Sequence, residues 1–170
     1  MSGDVKDAKF DVLKQAIVME IAGLQFFLTA AEKTSSKKAR EMFRQLAEDE
    51  VEHKNILENM MKKMAKGDGK LELPKAESHI QVDHPVIGKE LKESLKTTWF
   101  DSSALNIGVM LEQRAIHFYE EEKKKTQDPD LQKLFTWLVE WERGHLETLL
   151  KIEREVKEEY WFDQGFWPLD

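Results

Sequence analysis

Three pairs of residues in this chain are separated by the same interval. Glu20 and Glu112, Glu50 and Glu142, and His53 and His145 each lie 92 positions apart. Each half thus carries a Glu-x-x-His motif, Glu50 to His53 and Glu142 to His145, with a lone glutamate thirty residues before it. The register extends to apolar positions: Phe26 pairs with Phe118, Phe27 with Tyr119, Phe43 with Phe135, Leu46 with Leu138 and Leu57 with Leu149. An interval this long is not that of a solenoid. It is the mark of a duplicated helical hairpin.

The apolar spacing predicts four helices, because residues three and four apart share one helix face. The first runs from about Val5 to Lys33, with the stripe Phe10, Leu13, Ile17, Glu20, Leu24, Phe27, Ala31. Ser35 or Ser36 caps the second, which runs to about Lys66, with Gly67 as its C′ residue. Its stripe is Ala39, Phe43, Leu46, Glu50, His53, Leu57, Met60, Met64. The third starts near Ser102 or Ser103, capped by Asp101 or a serine, and ends near Thr126. Shifting the first stripe by the repeat predicts Ser102, Leu105, Val109, Glu112, Ile116, Tyr119, Lys123. Asp128 caps the fourth, and Pro129 suits its first position, where no N–H bond is lost. That helix runs to about Lys157 with the stripe Leu131, Phe135, Leu138, Glu142, His145, Leu149, Ile152, Val156. The reading is an all-α four-helix bundle forming one domain: hairpin 5–66, crossover 67–103, hairpin 104–157 and tail 158–170. The crossover holds Gly67, Gly69, Pro74 and Pro85, with room for a short helix over Lys89–Lys96. It is too long for a tight turn. The aromatic tail, Tyr160 to Trp167, packs over the bundle or across a dimer interface.

In an antiparallel hairpin, residues equidistant from the turn lie at one height. Glu20 and Glu50 are each fifteen residues from Ser35, roughly 22 Å along the axis. Glu112 and Glu142 flank position 127 equally, so both hairpins carry their carboxylates at mid-length. His53 and His145 follow one turn deeper on the same face. Four carboxylates on core stripes, with no lysine or arginine near them there, need a counter-charge, since one unpaired buried charge costs several kcal/mol. Two divalent cations supply it. A single Glu-x-x-His is a weak signal, and a helical glutamate is ordinarily solvated. All six groups on core stripes at one interval are another matter. Oxygen and imidazole ligands suit iron or manganese, and also zinc. His117 faces away from Glu112, and His79 and His84 lie in the crossover, so these three are read as surface or structural.

Composition narrows the rest. Net charge is −7, which argues against a general nucleic-acid binder. The absence of cysteine removes disulfides, thiolate metal sites and a thiol nucleophile. No signal-like stretch opens the chain, and no run is expected to supply the roughly twenty apolar residues that cross a bilayer, so a cytoplasmic protein away from membranes is expected.

At the segments Ala16–Glu20 through Phe27, Leu46–His53, Glu112 through Tyr119 and Leu138–His145, the chain resembles the rubrerythrin-type branch of the ferritin-like di-iron proteins. The resemblance covers about residues 10–157 and implies a ferritin-like fold. It implies that Glu50 and Glu142 bridge two metals, iron first among them. Glu20 and Glu112 would be terminal ligands, and His53 and His145 would each hold one metal. The implied reaction is reduction of peroxide or oxygen, restored by an electron donor. Two departures stand out. Rubrerythrins proper carry a further carboxylate where this chain has Ala115, and a cysteine-bound iron module that it lacks. An external donor, such as a small redox protein, is therefore expected, and a homodimer by analogy. Tyr119 can hydrogen-bond a carboxylate where Phe27 cannot, which makes it the candidate catalytic residue beside the ligands, with ordinary core packing as the alternative. An iron-binding, ferroxidase-type protein and a metal-stabilised structural bundle are the competing readings.

Overall fold

The computed structural model describes residues 2–66, 73 and 99–163. Four helices account for nearly all of them: α1 (Ser2–Lys33), α2 (Lys37–Lys66), α3 (Trp99–Lys125) and α4 (Pro129–Asp163). α1 packs along α2 and α3 along α4 as two hairpins, and α1 also meets α3. The fold is the expected all-α bundle.

The predicted stripes become two core clusters. One holds Phe27, Phe43, Leu46, Leu105, Leu149 and Ile152, near the α1–α2 turn. The other holds Leu13, Leu57, Tyr119, Leu131, Phe135, Leu138 and Trp141, near the α3–α4 turn. Along every helix the buried glutamates and histidines of the stripes fall between these clusters. α2 and α3 therefore run parallel, and the connection between them joins opposite ends of the bundle. The crossover's own course, the Lys89–Lys96 helix, Gly67, His79 and His84 lie outside the described residues, as does the Val156 side chain.

The repeat reaches into the turns, atom by atom. Ser36 N donates to Thr34 Oγ1 (3.1 Å), and Asp128 N to Thr126 Oγ1 (3.2 Å). Ser36 Oγ accepts from Ala39 N (3.2 Å), and Asp128 Oδ1 from Leu131 N (3.3 Å) and Asp130 N (3.0 Å). Arg40 reaches back to the Thr34 carbonyl (2.9 Å), and its counterpart Gln132 to that of Thr126 (2.9 Å). Each turn thus satisfies the free N–H groups of one helix and the free carbonyls of the other. Ser36, not Ser35, is the cap. Asp128 also takes an ion pair from Lys9 of α1 (2.7 Å), which ties the two hairpins together.

Four expectations are corrected. α3 begins at Trp99, so Asp101, Ser102 and Ser103 lie inside the helix rather than capping it. Lys123 is exposed, because the last turn of α3 extends past the core. α4 continues to Asp163, so the backbone of Tyr160, Trp161 and Phe162 is helical; how the tail packs lies outside what is described. Finally, Asp7–Lys33 is long and apolar enough, with mean hydropathy 1.4, to cross a membrane by length and composition. The reason is that α1 is apolar on two faces: core residues inside, and Val18, Ile21 and Leu28 exposed. It nonetheless holds Glu20 in the bundle core, as a packed helix does.

Replacing Asp128 with alanine should cost about 1 kcal/mol in urea unfolding, the usual value of a lost cap. Burial alone would raise this carboxyl's pKa, but Lys9 and the two backbone N–H groups hold it below its ordinary value. The contribution is complete above the ordinary carboxylate range and is lost as pH falls through the depressed value. Equal stability of the variant and the parent at neutral pH would contradict this account.

Candidate metal centre

Four glutamates and two histidines meet in the gap between the core clusters. Glu20, Glu50, His53, Glu112, Glu142 and His145 are all at most 4% exposed. They form two overlapping groups. Glu20, Glu50, His53 and Glu142 offer ligand atoms within 4.8 Å of one another, and so do Glu50, Glu112, Glu142 and His145. Glu50 and Glu142 belong to both. Each remaining pair, Glu20 with His53 and Glu112 with His145, belongs to one. His117 is exposed and takes no part.

The histidines aim the same nitrogen inward. His53 Nδ1 lies 3.2 Å from Glu20 and from Glu142, and 3.7 Å from Glu50. His145 Nδ1 lies 3.2 Å from Glu142 and 3.6 Å from Glu112. Several of these approaches are close enough for attraction but misaligned for hydrogen bonds. Both oxygens of Glu142, Oε1 of Glu112 and Nδ1 of His145 have no hydrogen-bond partner. Buried polar atoms are ordinarily paired. Converging unpaired lone pairs of oxygen and imidazole nitrogen are what a cation takes up, so the residues fit a metal pair.

Without cations the cluster compensates by holding protons. Burial raises the Glu50 carboxyl well above its usual range, with the charges of Glu20 and Glu142 adding to it. Burial and the neighbouring Glu142 charge push Glu112 up to about 8. Burial would lower both histidines, but the facing carboxylates, Glu142 for His53 and Glu112 for His145, raise them instead. Burial likewise opposes ionisation of Glu142, yet the two histidines hold it well below the carboxylate range.

Neighbouring groups set the orientation. The Tyr119 hydroxyl donates to Glu20 Oε1. Burial and the Glu20 charge raise its pKa, so it stays a donor. Asp49, 2% exposed, lies 3.0 Å from His145 Nε2, and Trp141 Nε1 lies 3.2 Å from the same nitrogen. Both cannot be satisfied: the carboxylate needs a proton on Nε2 and the indole needs a lone pair. The charged acceptor is the stronger partner, so in the neutral imidazole that a cation would bind, Nε2–H donates to Asp49 and the lone pair is on Nδ1, facing the glutamates. Gly23, one turn beyond Glu20, leaves space for Glu50: a Cβ there would stand 3.0 Å from Glu50 Oε1.

Asp49, Trp141 and Gly23 were not singled out by the sequence reading. For Asp49 a signal existed, since it lies four residues before His53 and so shares its flank of α2. That it would reach His145, across the bundle, is a tertiary fact.

Divalent cations can bind only as the ligands lose their protons. Apparent affinity for manganese(II) should therefore rise with pH and still be rising near the Glu112 value of about 8, with protons released on binding. Calorimetry in buffers of different ionisation enthalpy measures this, and a pH-independent affinity would contradict it. Gly23→Ala should weaken binding by crowding Glu50 while the helix content stays unchanged.

Searches of curated proteins and of solved structures returned no match. The profile of the rubrerythrin family, by contrast, matches residues 11–153, a span that contains every group of the cluster. The repeat, the bundle and the profile agree, and the chain belongs to the rubrerythrin family.

Proposed function

We propose that this protein is a di-iron carboxylate oxidoreductase that reduces peroxide or oxygen, with electrons supplied by an external donor. The observation that carries this reading is the pair of overlapping ligand groups sharing Glu50 and Glu142. Shared carboxylates are what two cations at close range require, and membership of the family makes iron the first choice. Two bound irons would supply the two electrons that break an O–O bond.

A cavity of about 90 Å³ supports the choice of substrate. It is lined by all four glutamates, by the small residues Gly23 and Ala115, and by Arg114. Among the described residues no histidine lines it, so approach is from the α1–α3 side while the imidazoles back the site. At roughly 30 Å³ per water it has room for about three, whereas sites for organic ligands run to several hundred Å³. A space of this size suits peroxide or dioxygen better than an organic substrate. Ala115 stands where the resemblance expects a carboxylate, so its short side chain leaves this space open.

The protein's groups have distinct tasks in this scheme. Glu50 and Glu142 are the shared ligands, and Glu20 and Glu112 flank them. Tyr119 fixes Glu20 through its hydroxyl, and Asp49 fixes the tautomer of His145. These 170 residues have no cysteine with which to hold an iron–sulfur or rubredoxin-type electron store, so electrons reach the site from outside this bundle.

The test is anaerobic loading with ferrous iron, then peroxide, followed optically. Rapid oxidation is expected, with repeated turnover once a reductant is present, and Glu50→Ala should abolish both. A single oxidation with no turnover would replace this reading with iron handling. No oxidation, together with a lower melting temperature in Glu50→Ala, would leave a structural metal site.

A further inference from the structure

Asp49 and Trp141 hold equivalent places in the two repeats. Each precedes a shared glutamate by one residue and the histidine of its own helix by four. Each also touches the histidine of the other half: Asp49 lies 3.0 Å from His145 Nε2, and the Trp141 ring packs edge-on against His53 with centroids 5.2 Å apart. The chemistry of the two contacts differs. A histidine that ligates through Nδ1 carries its proton on Nε2, and that proton needs an acceptor. Asp49 is one. An indole has an N–H donor and no acceptor lone pair. His53 Nε2 is accordingly buried without a hydrogen-bond partner, in a ring walled by Trp137 and Trp141.

A second asymmetry acts in the same direction. Tyr119 donates to Glu20 Oε1, drawing electron density from that carboxylate. Its repeat counterpart, Phe27, can do nothing of the kind for Glu112, whose Oε1 is unpartnered. One half therefore offers a buttressed imidazole with an uncommitted carboxylate. The other offers an unbuttressed imidazole with a carboxylate already hydrogen-bonded.

We propose that the two cation positions are inequivalent: a tight one at Glu112 and His145, and an exchangeable one at Glu20 and His53. This rests on the two-metal reading above and goes beyond it, because that reading treats the halves alike. The outer partner of a ligating histidine changes metal affinity by about 10–100-fold, so the positions should differ by a factor of that order. Under limiting metal the protein then holds one ion, and a second, different divalent cation can enter the exchangeable position.

Calorimetric titration of the metal-free protein with manganese(II) tests the proposal without reference to turnover. The wild type should take two ions in separate steps. His53→Ala should keep the tight step and lose the weak one, and His145→Ala should lose the tight step. Asp49→Asn should weaken the tight step by about 10–100-fold and leave the other in place. Tyr119→Phe, which keeps the ring, should tighten the weak step; it serves as a second probe if Asp49→Asn does not fold. Two equal steps in the wild type, or a first ion retained at the same affinity in His145→Ala, would overturn the proposal while leaving the two-metal site standing. Failure of the wild type to bind manganese(II) at all would be a different result, and would remove the proposed function together with this inference.

Discussion

Burying charge with no described ion pair to a lysine or arginine is the condition the structure is built around. Six ionisable groups sit in the middle of the bundle, each at most 4% exposed. Their only described ion-pair partners are one another, together with Asp49 for His145. Such a cluster is tolerable if protons or cations neutralise it. Protons do so at the expense of unpaired lone pairs, as at Glu142 and Glu112. Cations would satisfy charge and lone pairs together. Above and below, apolar clusters built round Phe27 and Phe43, and round Phe135 and Leu138, clamp the helices. The polar layer is thus held in register by packing it does not itself supply.

Duplication explains the geometry, and departures from it explain the chemistry. Two copies of one hairpin, with turns alike down to the Thr34 and Thr126 carbonyl contacts, give paired glutamates and paired histidines at one height. The cavity wall is shared in the same way, since Gly23 and Ala115 are repeat partners, as are Ala22 and Arg114. Where partners differ, function has room to differ. Tyr119 against Phe27 places a hydroxyl on one terminal glutamate only. Asp49 against Trp141 gives one histidine an acceptor and the other an aromatic wall.

Much of this was legible in the sequence for a physical reason. A helix shows its inner face by period, so Glu20 and Glu112 declared themselves as charges in apolar stripes. The caps at Ser36 and Asp128 were legible because a cap is a local interaction. Less local matters were not. Asp49 sits beside the stripe of α2 and finds its role only when α4 crosses it. Lys123 was misplaced because repeat symmetry was extended past the point where α3 leaves the core. The start of α3 at Trp99 was missed because three candidate caps, Asp101, Ser102 and Ser103, lay two turns or less inside it. The outward apolar residues of α1, Val18 and Leu28, made that helix more hydrophobic than its inner stripe alone requires.

The most direct test of the central claim is a crystal structure of the protein grown with iron or manganese, with anomalous scattering measured at the metal's absorption edge. The account predicts two peaks per chain in the gap between the core clusters, with Glu50 and Glu142 each touching both ions, and with Nδ1 rather than Nε2 of His53 and His145 as the imidazole ligand. Metal bound elsewhere, or an intact cluster that excludes metal and stays neutral by protonation, would contradict it.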